Sequence, residues 1–353
     1  MSHYTKYLNF NLLLVFVPIA IAGEFLHWPP LLVFVVSALA VVPLASLIGQ
    51  ATEELAAHTG PRLGGFLNAT LGNAAELIIT IFAIRAGLLE LVKASITGSI
   101  LGNVLLVLGL SILLGGLKNG VQRFDRSHAG LNSTMLILAV VGLGIPSLFS
   151  HAIEVKHHEA VEYLSLGVAL VLILIYGLSL IYAFFALPSG KEAKEAHIHK
   201  WNTSKASGVL VGATLLIAWL SEILVGAVEP VVEAVGITEF FLGIIVIPLV
   251  GNVAEHLVAV QMASKNRMEL SLAISVGSSL QIALFVAPAL VFISLLMGNP
   301  LTLVFNQFEL ISLVAAVLIA ALVSLDGESN WLEGAQLLVV YIIIGLAFFY
   351  LPT

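Results

Sequence analysis

Runs of about twenty mostly apolar, uncharged residues follow one another along almost the whole of this 353-residue chain, and each is long enough to cross the hydrocarbon core of a bilayer as an α-helix. Only 10% of the residues are charged against 59% hydrophobic, whereas soluble domains carry about 25% charge. Such a chain cannot solvate a water-soluble globule of its size, and its composition is the reverse of a disordered one. A soluble enzyme is excluded. The net charge of -7, with scattered cations, forms no basic patch, so no nucleic-acid partner is expected. There is no cysteine, which removes disulfides, thiolate nucleophiles and thiolate metal sites. Chemistry is left to carboxylates, amides, hydroxyls and histidine.

Charge, proline and glycine clusters divide the chain into eleven expected spans. They cover residues 8–26, 31–48 (extending towards Glu53), 63–84, 94–117, 131–149, 161–187, 208–228, 240–263, 270–297, 308–325 and 331–351. The first lacks a small-residue cleavage site and has little positive charge before it, so it reads as a retained helix rather than a removed signal. Lysine and arginine in alternating loops set the orientation. Lys6, Arg62, Lys118, Arg123, Arg126, Lys191, Lys194, Lys200, Lys205, Lys265 and Arg267 collect on one side, and Arg85, Lys93 and Lys156 on the other. The first side is therefore cytoplasmic, with the N-terminus; an odd number of spans leaves Thr353 outside. The expected location is the cell membrane of a prokaryote, as a multi-pass protein in contact with lipid. Assembly into a homo-oligomer is compatible with this pattern and left open by it.

The chain repeats itself. Sliding it by 179 residues lays 63–101 over 242–280 with twelve of 39 positions identical, far above chance for this composition. The densest match is polar: Gly72-Asn73-Ala74-Ala75-Glu76 meets Gly251-Asn252-Val253-Ala254-Glu255, and Thr52-Glu53 meets Ser221-Glu222 at a shift of 169. The expected fold is an all-α polytopic membrane protein of about eleven transmembrane helices. Residues 1–28 form an extra N-terminal helix, 29–187 a first five-helix repeat, 188–206 a cytoplasmic linker and 207–353 a second five-helix repeat. Five helices per copy invert one copy against the other, and inverted repeats build transporters whose substrate sits near the bilayer midplane. Gly72 and Gly251 suit a helix break beside that site.

Glu76 and Glu255 lie in the middle of apolar spans, where an ionised group costs about 2.5–3.5 kcal/mol on insertion scales. A symmetric pair of such groups points to a cation site built from both halves. Asn73 and Asn252, three residues earlier, share a helical face with their glutamates and serve either as ligands or as interhelical packing groups. Gly98-Ser99 and Gly277-Ser278 form a second matched set, followed by Asn103 in one half and Gln281 in the other. The two glycines read as close-packing residues. The ensemble offers two carboxylates, neutral oxygens and no sulfur, a shell that suits hard divalent cations and calcium above magnesium. His256 fits a helix–helix hydrogen bond and a proton relay or gate equally well. Glu53 and Glu222 read as orienting or gating groups on a wet access path, or as plain helix-end acids. Histidine-bearing loops at 151–159 and 197–199 are compatible with a transition-metal ion, though such loops are usually only solvated. Asp326, Glu328 and Glu333 read as solvated acids.

The sequences GNAAELI at Gly72 and GNVAEH at Gly251, each followed by a GS-containing helix, resemble the paired signatures of the calcium/proton exchanger (CAX) family of the cation/calcium exchanger superfamily. The resemblance extends over nearly the whole chain, including GPRLGG at Gly60 and DGESNWLEGA at Asp326. It implies an eleven-helix antiporter that moves calcium out of the cytoplasm against protons, with Glu76 and Glu255 as alternating calcium and proton acceptors. It also implies ligands at Ser99, Ser278 and Gln281, with Asn103 as a further candidate. No cofactor is expected, because Ca2+ and H+ are the transported substrates. Many members carry an acidic stretch between the halves; here KEAKEAHIHKWNTSK, starting at Lys191, holds four lysines against Glu192 and Glu195. Sodium-coupled relatives surround the glutamates with Ser and Thr, whereas Ala74, Ala75, Val253 and Ala254 stand here, which favours protons. Manganese remains an alternative cargo. A channel needs no inverted repeat, and no serine–histidine, HExxH or paired-aspartate arrangement supports an intramembrane protease.

Overall fold

The computed structural model describes residues 10–154, 160–186 and 201–351, and these are helical nearly throughout. A 3₁₀ turn, Phe10–Val15, leads into α1 (Phe16–Phe25), followed by α2 (Pro30–Leu71), α3 (Ala74–Arg85), α4 (Leu89–Leu101), α5 (Leu108–Asn119), α6 (Arg126–Glu154) and α7 (Ala160–Ala186). Then come α8 (Thr203–Gly226), α9 (Val228–Val235), α10 (Glu239–Phe241), α11 (Ile247–Ser264), α12 (Met268–Gln281), α13 (Ala287–Leu296), α14 (Gln307–Val323) and α15 (Trp331–Phe349). Among the described residues, eight helical stretches are long and apolar enough to cross a membrane: Pro30–Thr59, Leu89–Asn119, Arg126–Ser150, Ala160–Ala183, Thr203–Val235, Glu239–Ser264, Met268–Leu296 and Trp331–Phe349. Two of the other expected spans, the first and tenth, are the shorter apolar helices Leu12–Phe25 and Gln307–Val323. The third falls on the end of α2 and on the twelve-residue α3.

The boundary expected between the second and third spans differs in kind from what is found. The helix α2 is continuous from Pro30 to Leu71, but it bends hard. A Cβ on Gly64 would stand 2.6 Å from the carbonyl oxygen of Ala56, eight residues back, which a straight helix would place about 12 Å away. The Gly60-Pro61 dipeptide lies between them, and a proline has no backbone N–H to give to the helical ladder.

Two compact units emerge. The first comprises Met1–Phe82, Pro188–Ile237 and Val250–Ala254; the second comprises Ala83–Leu187, Thr238–Leu249 and Glu255–Thr353. In the first unit α2 packs along α8. Buried Ala40, Leu44, Ile48 and Ala51 recur at helical spacing on α2, as do Ala213, Ile217, Leu220 and Leu224 on α8, and the small residues among them let two helices approach closely in a setting with little hydrophobic drive. In the second unit the stretch from α4 to α5 is the most enclosed: Leu91, Ile100, Leu101, Leu105, Leu108 and Ile112 are all fully buried.

Loops are pinned as well. A two-residue strand β1 (Gln122–Arg123) pairs antiparallel with β2 (Glu328–Ser329), Gln122 opposite Ser329, and Arg123 Nε lies 2.9 Å from Glu328 Oε1. Both α14 and α15 start with a capping box. Asn306 Oδ1 accepts from the backbone of Phe308 and Glu309 while Glu309 Oε2 accepts from the backbone N–H of Asn306. Asn330 and Glu333 repeat the pattern on α15. The acids expected to be merely solvated therefore have structural partners: Glu333 caps α15, Glu328 pairs with Arg123, and Asp326 accepts from the backbone of Glu328. The side chains of the histidine stretch 151–159 and the whole of His197 and His199 lie outside the described residues.

Candidate functional site

In the first unit, α2 stops at Leu71 and α3 starts at Ala74, so the chain is interrupted at Gly72 and Asn73, as anticipated for the first copy of the motif. The restart puts Glu76 in the first turn of α3, where unpaired backbone N–H groups and the helix dipole favour a carboxylate. Glu76 is only 4% exposed. Asn252, the matched residue of the other repeat, donates through Nδ2 to Glu76 Oε1 at 2.5 Å. The hydroxyl of Thr80 bonds back to the Glu76 carbonyl, and Asn73 is buried too. Asparagine from one repeat thus touches glutamate from the other.

The second motif glycine has a different job from the one expected. Gly251 interrupts nothing: α11 runs without a break from Ile247 to Ser264. A Cβ there would stand 3.0 Å from Glu76 Cγ, so glycine clears the space that the Glu76 side chain fills. The backbone irregularity of this copy lies earlier, in a π-helical turn at Leu242–Val246.

The second unit holds Ser99, Asn103, Glu255, His256, Ser278 and Gln281. Ser99, Asn103 and Ser278 are buried, while Glu255, His256 and Gln281 are partly accessible. With its proton on Nε2, His256 donates to Asn103 Oδ1 at 3.1 Å, which realises the helix–helix hydrogen bond expected of it. Asn103 Nδ2 is buried without a hydrogen-bond partner among the described residues. Asn103 stands in a π-helical turn, Gly102–Val107, and another, Ile282–Val286, follows directly on Gln281. At a shift of 179 the first turn falls on 281–286 and overlaps the second. Wide turns of this kind redirect side chains and are frequent at functional sites, and no hydrophobic periodicity announces them in sequence.

Sequence equates Gly98 with Gly277; packing does not. A Cβ on Gly98 would lie 2.0 Å from the carbonyl oxygen of Ile244, in the π turn that leads into α11, whereas a Cβ on Gly277 would meet nothing within 4 Å. Only Gly98 is the close-packing residue expected of both.

Glu53 and Glu222 are exposed, both within the first unit, and each follows a fully buried hydroxyl, Thr52 or Ser221, that has no hydrogen-bond partner among the described residues. Neither glutamate ends its helix, since α2 continues to Leu71 and α8 to Gly226. Glu309 is a buried carboxylate that sequence reasoning passed over. It is 0% exposed, and Thr97, two residues before Ser99, donates to its Oε1 at 3.0 Å. The signal was present in the Asn-x-x-Glu spacing at 306–309, which marks a helix start, but nothing local says that such a cap is buried. Among the described residues no three or more acids and histidines gather as a metal cluster.

Comparison with known proteins shows what the whole chain is similar to. The model of the family described as sodium/calcium exchanger protein matches residues 29–185 and 205–350. A protein of Aphanothece halophytica named Ca(2+)/H(+) antiporter is 45% identical, the match covering 97% of this chain and 96% of that protein. The Ca(2+)/H(+) antiporter ChaA of Bacillus subtilis is 43% identical over 95% of this chain and 97% of its own length. The solved structure of native YfkE superposes with a TM-score of 0.86 at 42% identity, covering 97% of this chain and all of that one.

Proposed function

The chain belongs to the sodium/calcium exchanger protein family, a family of transporters rather than enzymes, and within it we propose an antiporter that exports cytoplasmic Ca2+ in exchange for external H+. What carries this reading is near-full-length identity of 43–45% to proteins named Ca(2+)/H(+) antiporter, joined to the buried Glu76 and its asparagine partner from the other repeat.

In this mechanism Glu76 and Glu255 hold either one divalent cation or protons. Ca2+ on two ionised carboxylates is neutral overall, and so is the doubly protonated pair. The empty doubly negative form would expose net charge to a low-dielectric barrier, at a penalty of about 2.5–3.5 kcal/mol or more per charge. Only the two neutral forms reorient readily, and exchange follows from that restriction by alternating access of the two inverted five-helix repeats. Asn73, Asn252, Ser99, Ser278, Gln281 and Asn103 supply the neutral oxygens that calcium's shell of six to eight requires. His256 sets the position of Asn103; Glu53 and Glu222 attract cations towards Glu76 and Glu255. The N-terminus is cytoplasmic and the C-terminus external.

Protons as the counter-ion follow from Ala74, Ala75, Val253 and Ala254, which offer no hydroxyl cage for sodium. Purified protein in sealed vesicles that are acid inside should take up labelled calcium in the complete absence of sodium, and nigericin with potassium should stop it by removing the pH difference. Manganese competing as effectively as calcium would widen the cargo. Uptake that survives nigericin and rises with an outward sodium gradient would move the assignment to sodium coupling.

A further inference from the structure

We propose that Glu309 is a positioning residue for cation exchange: through Thr97 it fixes the turn of α4 that presents Ser99. The inference rests on the reading of Ser99 as a calcium ligand.

The two capping boxes of the second unit provide the contrast. In α15, Glu333 receives the backbone N–H of Asn330 on Oε2 and remains partly accessible, as a cap at a helix start requires and no more. In α14, Glu309 makes the same bond from Asn306, but it is entirely buried and its other oxygen accepts from the Thr97 hydroxyl, 212 residues away in sequence. A cap alone needs one oxygen. Burying the second towards α4 gains nothing for α14 unless a donor meets it, because a carboxylate oxygen in an apolar setting is costly to leave unpaired. Thr97 is that donor, and it is itself 0% exposed.

The bond holds the part of α4 where position matters. One residue on, Gly98 lies flush against the Ile244 carbonyl; two residues on is Ser99. α4 is therefore held on one face by a backbone contact with the turn preceding α11, and on another by the Glu309 carboxylate. One turn earlier the same attachment is reinforced: Lys93 Nζ donates to the Val304 carbonyl, just before α14, and pairs with Glu90. The arrangement belongs to one repeat only. Thr97 is matched by Val276 in the other copy, so a helix of this kind folds with valine in place of threonine, and the bond serves something other than folding.

Thr97→Val removes the donor, keeps the shape and leaves the capping hydrogen bonds of α14 intact. In vesicles reconstituted with equal amounts of full-length protein, it should raise the apparent KM for calcium about three- to tenfold at nearly unchanged maximal rate, the size expected when one interhelical hydrogen bond in a membrane is lost. Thr97→Ser should restore the parent KM, and Glu333→Gln, which weakens a cap without a bridge, should leave it unchanged. A merely structural role would lower the maximal rate through loss of active molecules and leave KM alone. Should Thr97→Val not accumulate, Glu309→Gln reads the same bond, since an amide cannot accept from both Thr97 and Asn306, and the same rise in KM is expected. Ser99→Ala separates the two readings. A raised KM in Ser99→Ala with a parental KM in Thr97→Val overturns this inference and spares the ligand; parental KM in both overturns both. A raised KM in Thr97→Val alone also overturns it, because Thr97 would then act through some group other than Ser99.

Discussion

Replacing Glu76 with Gln should lower calcium uptake about a hundredfold or more while the protein still inserts and folds. The amide keeps an oxygen to accept from Asn252 Nδ2, so the local hydrogen bond survives, and no buried charge is left unpaired. What is lost is charge balance. A calcium ion facing one carboxylate instead of two carries a net positive charge through the barrier, and at about 2.5–3.5 kcal/mol for a unit charge, with 1.4 kcal/mol per factor of ten, the rate falls by about two orders of magnitude. Glu255→Gln should do the same. Glu90 and Glu269, also matched between the repeats, are 63% and 58% exposed at helix starts, and their replacement by Gln should change uptake less than about twofold, as for most surface substitutions. Uptake by purified, reconstituted variants decides it; similar losses from Glu76 and Glu255 and from Glu90 and Glu269 would remove the special role of the motif acids.

A second large effect is expected at Gly98 and not at its counterpart. In Gly98→Ala the new methyl would fall 2.0 Å from the Ile244 carbonyl oxygen. That neighbour is backbone and cannot rotate away, so α4 and the turn before α11 must separate, at a penalty at or above the roughly 1–3 kcal/mol typical of overpacking. The variant should melt at markedly lower temperature in detergent and lose most calcium uptake, because the displaced elements carry Ser99 and lead to Asn252 and Glu255. Gly277→Ala, with open space around the added methyl, should match the parent protein in both measurements. Equal loss in the two variants would mean that repeat symmetry, rather than the contact with Ile244, governs these glycines.

The helices were legible because each long apolar run has one low-energy state in a bilayer, and Glu76 because a carboxylate inside such a run is costly and calls for a partner. The matched motifs singled out both Glu76 and Asn252, and these two residues are hydrogen-bonded to each other. Other features left no trace in the order of residues. The π turns at Gly102–Val107 and Ile282–Val286 change no hydrophobic spacing. Gly98 and Gly277 have identical neighbours on their C-terminal side, yet only one meets a backbone, because close approach is a property of the partner helix. Gly251 looked like a hinge, and the side chain that fills its space belongs to a residue 175 positions earlier. Glu309 resembled an ordinary helix cap, and its burial depends on Thr97 in a distant helix.

The claim that one pair of carboxylates holds both ions is tested most directly by the protons displaced when calcium binds. Calcium added to purified protein in weakly buffered detergent solution should release protons, and the release should approach about two per calcium bound towards the acid end of the binding range, where both carboxylates start protonated. Apparent calcium affinity should weaken over that same range as pH falls. Calcium binding at full affinity with no proton release at any pH would contradict the account, since the two ions would then occupy different groups.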